Sequence, residues 1–178
     1  DGYGGGTANM EFQSLTGLPM YNFNDMISVL YTDVIPDMDY IPSISNVFEP
    51  ENRVAIHLSN ATHYSRNSVY QKLKYSKFIA ISGSDDIAKE TNTLGVYPSD
   101  TSTYDNILSE VDPSQSQFFS VMTMQNHGPW AATNLSDITA NGEGLTSDQN
   151  ASLTNYARLL NYTDSSTAEF LQKLEGID

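Results

Sequence analysis

Strands alternating with helices along this chain predict an α/β fold with a largely parallel sheet flanked by helices. Three observations carry that prediction. RVAIHLS, residues 53–59, is a β-rich apolar run that leads through a loop into a helical stripe. QFFSVMTMQNHGPW, residues 117–130, is a second buried-strand pattern, preceded by a short amphipathic helix. The length, 178 residues, fits one domain and suffices to bury a proper core.

In chain order, the first helix starts at Thr7, which stands at its N-cap, with Met10, Leu15 and Leu18 as apolar positions, Glu11 in the first turn and Gly17 as the stop. The glycines ahead of it, Gly2, Gly4, Gly5 and Gly6, allow two readings. They are a flexible lead-in, or a tight turn that presents Thr7 at a helix N-terminus, where outward N–H groups favour anions. Residues 18–39, rich in Pro, Asn, Asp and aromatics, form an irregular excursion in which MISVLY suits a short strand, and IPSISNVFEPEN reads as a short helix. After the strand ending at His57, Tyr70, Val69 and Leu73 give the helical stripe of SRNSVYQKLKYS. KFIAIS is a further short strand, residues 85–99 a polar linker with Asp85 and Asp86 in a solvated turn, and STYDNILSEVD an amphipathic helix. Leu153, Tyr156, Leu159, Leu160, Phe170, Leu171 and Leu174 set the helical spacing of residues 146–175.

Asp and Glu number 22 against 8 Lys and Arg, a net charge of −14, so the surface repels nucleic acid and anionic membranes. Nucleic acid is therefore not expected as a partner. With no cysteine, disulfides and thiolate metal sites are excluded. No apolar run approaches the roughly 18 to 20 residues of a membrane span, so any anchor is expected outside this chain. The lysine-poor, Asn/Ser/Thr-rich composition suits a secreted bacterial surface domain.

In parallel sheets, sites gather at the carboxyl ends of strands, and His57 and His127 each close a predicted strand. Both also suit a structural role. If Thr7 is a nucleophile, its hydroxyl must be activated. A helix dipole supplies roughly 0.3 to 1 kcal/mol, up to about 2, which shifts a hydroxyl by little more than one pKa unit. A divalent metal shifts a bound oxygen by many units. Oxygen and imidazole donors suit Mn²⁺ or Mg²⁺, yet no tight Asp/Glu/His cluster near a strand end supplies them. His57 and His127 are open to either metal or phosphate. Arg66, at the start of a helix, has the planar fork that matches phosphate oxygens, and equally suits a surface position.

Three segments together resemble the lipoteichoic acid synthase-like phosphoglycerol transferases of the alkaline phosphatase/sulfatase superfamily. GGGTANMEFQSLTGLP resembles their nucleophile segment, HLSNATHYSRNSVYQKLKYSKF their His…Trp-x-Arg segment, and MTMQNHGPW their Thr-x-x-Asn-His-x-Pro-aromatic segment. Order and spacing agree across essentially the whole chain. The resemblance implies that residues 1–178 are an internal part of a single extracellular sulfatase-like catalytic domain. It implies that Thr7 is both the nucleophile and a metal ligand, forming a covalent phosphoglycerol-threonine intermediate, and that His57, Tyr64, Arg66 and His127 bind the substrate. Tyr64 stands where the family has Trp, and Ser59 where some members have Asp. The implied activity is transfer of glycerol phosphate from phosphatidylglycerol to a cell-envelope polymer or glycolipid, with Mn²⁺ or Mg²⁺, at the outer face of a membrane that holds the full-length protein. The family's acidic ligand upstream and its Gly-Asp-His pair downstream are not in this chain, so the chain alone is expected to be inactive. Two other readings stand beside this one: a sulfatase-like phosphodiesterase or hydrolase, against which the unmodified Thr7 and the lack of cysteine weigh, and a non-catalytic surface-binding module of the same fold.

Overall fold

A computed structural model describes residues 6–131, 134 and 136–177. Its first helix, α1 (Thr7–Thr16), is entered through Gly6 at φ 72° and left through Gly17 at φ 71°, whose N–H closes the helix on the Gln13 carbonyl at 2.9 Å. Both positions need the left-handed backbone that glycine adopts without steric cost. Gly6, not Thr7, is thus the N-cap, and Thr7 is the first helical residue. Gly2, Gly4 and Gly5 lie outside the described residues.

The excursion after α1 holds no strand at MISVLY. There the helix α2 (Leu30–Asp33) forms, because side chains take the amides that a sheet would need. Asn9 accepts from the Leu30 N–H at 2.9 Å and donates to the Ser28 carbonyl at 2.8 Å, while Asp33 accepts from the Ser28 and Val29 N–H groups at 3.1 and 3.0 Å. The helix expected in IPSISNVFEPEN is instead two separate 3₁₀ turns, Ile44–Val47 and Pro50–Asn52, the second begun by the proline.

Strand β1 (Arg53–His57) is buried along its whole length and is followed by α3 (Arg66–Lys72) and β2 (Lys77–Ala80). Residues 85–99 are more ordered than a linker. They contain β3 (Asp86–Ile87), parallel to β2, and an antiparallel pair, β4 (Thr93–Leu94) with β5 (Tyr97–Pro98). Asp86 is held at this edge by accepting the Phe78 N–H at 3.0 Å. Helix α4 (Asp100–Leu108), β6 (Phe118–Met122) and α5 (Ser147–Glu175) complete the order. The main sheet runs β3-β2-β1-β6, a parallel sheet flanked by helices.

Two units divide the chain, and β1 and β6 each pass from one to the other. The first comprises the described residues of Asp1–Ala55, Ser59–Ile87 and Ser114–Ser120. Its core brings Ala8, Phe12 and Leu15 of α1 together with Leu30, Tyr31, Val69, Tyr70 and Phe78. Phe12 meets Phe23 edge-on at 5.6 Å, and Tyr70 lies 4.8 Å from Phe78. Each large side chain so buried contributes about 1.5–3 kcal/mol.

The second unit comprises Ile56–Leu58, Ala88–Pro113 and Val121–Asp178 within the described residues. Tyr104 of α4 stacks on Phe170 of α5 at 4.7 Å, and its hydroxyl pairs with Thr167 at 2.9 Å. Helix α5 opens with a reciprocal cap in which Thr146 accepts the Gln149 N–H and the Gln149 side chain accepts the Thr146 N–H.

Candidate functional site

Thr7 is exposed at the first position of α1. The N-terminal amides of a helix have no intrahelical acceptors, so an oxygen placed here sits in a field that favours negative charge. One turn further along the same helix is Glu11. It lies in the second turn, not the first, and it points into the core: Ala8, Glu11, Phe12 and Leu15 form one buried stripe.

The buried carboxylate of Glu11 meets the guanidinium of Arg66, which is only 2% exposed. Arg66 Nε donates to Glu11 Oε1 and Oε2 at 3.0 and 3.1 Å, and Nη2 donates to Oε1. Nη1 has a 3.4 Å bond to the His63 carbonyl. The Tyr70 hydroxyl donates to Glu11 Oε2 at 3.3 Å. Burial pushes the Glu11 carboxyl above its ordinary value, and the Arg66 fork pulls against that rise; burial likewise raises the Tyr70 phenol. Tyr64 lies over the guanidinium, its ring centroid 5.0 Å from the Arg66 carbon, and is itself 45% exposed. Tyr64 and Ser65 both have left-handed backbone, φ 54° and 55°, immediately before α3. Two adjacent non-glycine residues in that region carry strain of about 1–3 kcal/mol each. Arg66 is therefore not the surface arginine that the sequence also allowed, and one edge of its fork is filled by a carboxylate.

In the second unit, His57 ends β1 and is buried, with Nδ1 3.2 Å from the Met122 carbonyl. His127 does not close a strand. Strand β6 ends at Met122, and His127 lies exposed in a following turn, its N–H bonded to the Met124 carbonyl at 3.0 Å. The strand stops because the next polar side chains turn to α5. Gln125 donates to the Leu159 carbonyl at 3.2 Å and to Thr163 Oγ1 at 3.0 Å, and Asn126 donates to the same Thr163 oxygen at 2.9 Å. Trp130 Nε1 donates to the Asn126 carbonyl at 3.0 Å, closing the turn that carries His127. The His127 ring stands edge-on to Tyr97, centroids 5.2 Å apart.

Beneath this turn Asp100 is fully buried and accepts from Thr163 Oγ1 at 2.6 Å. Burial raises its carboxyl above the ordinary 3.8, with the Thr163 bond opposing. The folded protein thus keeps a proton at pH values where the unfolded chain has lost it, so this group's contribution to stability declines as pH climbs from 3.8 through the folded value. Asp100→Asn, which cannot ionise, is expected to flatten the loss of stability as pH rises above 3.8 in urea titrations. Equal slopes for variant and wild type would contradict this.

The structure brings Thr7, Tyr64 and Arg66 into the first unit, and His57 and His127 into the second. Glu11 was missed by sequence reasoning, although a carboxylate on the apolar face of an amphipathic helix is a visible sign that a buried partner exists. As for Mn²⁺ or Mg²⁺, no group of three His, Asp or Glu among the described residues could hold an ion. Thr7 is one neutral hydroxyl, and the residues present do not by themselves make such a site. No helix among the described residues is long and apolar enough to cross a membrane.

A parallel sheet flanked by helices, with a threonine at the glycine-led start of a helix, defines an α/β fold, and comparison resolves which. The chain belongs to the sulfatase family, whose model matches residues 1–178. The Streptococcus pyogenes phosphoglycerol transferase GacH, solved in complex with sn-glycerol-1-phosphate, is 50% identical over 100% of this chain, with a TM-score of 0.95. The lipoteichoic acid synthase LtaP of Listeria monocytogenes shares the fold at 22% identity over 96% of this chain, TM-score 0.70. A curated protein of Rhizobium meliloti, named for cyclic beta-1,2-glucan modification, is 31% identical over 145 residues, 80% of this chain. The chain spans 47%, 40% and 22% of these three proteins respectively.

Proposed function

We propose that this chain is the nucleophile-bearing part of a phosphoglycerol transferase. What supports the reading is 50% identity, over 100% of the chain, to a phosphoglycerol transferase solved with sn-glycerol-1-phosphate. In the proposed reaction the Thr7 oxygen bonds to the phosphorus of phosphatidylglycerol. The bond from phosphorus to the diacylglycerol oxygen breaks, and that oxygen leaves with a proton as diacylglycerol. A hydroxyl of a cell-envelope polymer or glycolipid then takes the phosphoglycerol from Thr7 and restores the threonine. His57, Tyr64, Arg66 and His127 are assigned to the glycerol phosphate by their motifs and not by their relative placement. Mn²⁺ or Mg²⁺ belongs to the proposal with Thr7 as a ligand and further ligands beyond the described residues. The setting proposed is the outer face of a bacterial membrane.

The test uses the full-length protein with phosphatidylglycerol vesicles, a glycolipid acceptor and Mn²⁺. The expected result is release of diacylglycerol matched by glycerol phosphate joined to the acceptor. Release of free glycerol phosphate, with none on the acceptor, would make the protein a phosphodiesterase. Lipid binding without diacylglycerol release would make it a binding module.

A further inference from the structure

We propose that Glu11 is a positioning residue, which grips Arg66 by the Nε and Nη2 edge of its guanidinium and reserves the opposite edge for an anionic oxygen of the substrate. The proposal rests on the reading above that Arg66 contacts the glycerol phosphate. A guanidinium has five N–H donors and two edges that can each hold two oxygens. Glu11 fills the side edge, taking Nε on both its oxygens and Nη2 on Oε1. Among the described residues, the end edge, Nη1 with the outer N–H of Nη2, has only the long 3.4 Å contact to the His63 carbonyl. Tyr64 covers the face of the ion at 5.0 Å. In this proposal a phosphate meets the arginine end-on, at an edge buried with the rest of the side chain.

The grip also sets a distance. Glu11 follows Thr7 by four residues on α1, so the two share a helix face, with Cβ atoms about 5–6 Å apart. Arg66 belongs to α3, but its charged end is fastened to the helix that carries the proposed nucleophile. One rigid helical turn, rather than the packing of α3, fixes how far the guanidinium stands from the Thr7 oxygen. A buried ion pair kept only for stability is a poor investment, since well-packed apolar residues serve as well or better.

Two experiments on the full-length protein test this. A structure with sn-glycerol-1-phosphate should show a phosphate oxygen at Nη1 or the outer Nη2 N–H while Glu11 still holds Nε. A phosphate on Nε with Glu11 displaced overturns the proposal. A phosphate that never touches Arg66 instead removes the reading on which it rests, so the two failures are distinct. In kinetics with phosphatidylglycerol, Glu11→Gln should lower kcat per folded molecule on the order of tenfold, since a misplaced group of this kind costs that much or more. KM should stay level or fall, because a guanidinium freed of its counter-charge attracts anions more strongly. Glu11→Asp, which keeps the charge, should recover part of kcat. A structural role alone would lower the melting temperature and leave kcat per folded molecule unchanged, which overturns the proposal. If Glu11→Gln does not fold, Glu11→Asp and the complex decide.

Discussion

Thr7→Ala in the full-length protein is expected to lose at least about three orders of magnitude in diacylglycerol release while melting within a few degrees of wild type. Removing a group that acts as nucleophile deletes the covalent step itself, and the residual rate then reflects binding alone, as in other enzymes where such groups are removed. The fold should hardly notice. Thr7 is exposed and the N-cap is Gly6, so alanine, the best helix former, fits the first position of α1. Thr7→Ser should keep measurable activity because it retains the hydroxyl. Diacylglycerol release by folded Thr7→Ala at the wild-type rate would remove Thr7 from the mechanism.

Arg66→Met carries the largest expected effect on stability. The exchange keeps most of the side chain's length and leaves Glu11, whose side chain is 5% exposed, without its cation. Breaking a buried ion pair from one side costs about 3–5 kcal/mol, a large part of the roughly 5–15 kcal/mol that holds a domain folded. The deficit should depend on pH in a stated direction. Without Arg66, the largest influence opposing the rise that burial imposes on Glu11 is gone, so the penalty is present where an unfolded glutamate is ionised and fades as pH falls toward 4.5. Replacing both residues with apolar ones should recover most of the loss. Urea titrations of wild type and the two variants at neutral and acid pH check this, and a deficit that does not change with pH would contradict it.

Elements whose signal lies in their own residues were legible before the structure. The apolar run of β1 and the capped, periodic stretch of α5 show themselves in any window of the sequence. Elements set by distant partners were not. MISVLY has strand composition, yet Asn9, 21 residues before Leu30, takes the amide that decides otherwise. The 3₁₀ turns are too short to carry a period, and β3 is two residues whose pairing with β2 no local pattern announces. Of the candidate site, residue identities came from motifs, while the environment of each came only from coordinates. Arg66 reads from the sequence as open to solvent or phosphate; its burial depends on a carboxylate that the chain supplies 55 positions earlier.

That separation has a consequence in time. Joining positions 11 and 66 closes a loop of 55 residues, whose length alone carries an entropic cost of roughly 3.5 kcal/mol. The ten-residue α1 is too short to persist as an isolated helix, so it gains its partner only once β1 and the start of α3 exist. At roughly 5–20 residues per second, a ribosome needs about 3 to 11 seconds to travel from Glu11 to Arg66. Through that interval the segment bearing Thr7 lacks its tether, and the helix start that presents its hydroxyl is finished only when the chain behind it has folded back. Thr7, the proposed nucleophile, is thus synthesised before the arginine that fastens its helix, and its setting is completed only after Arg66 has emerged.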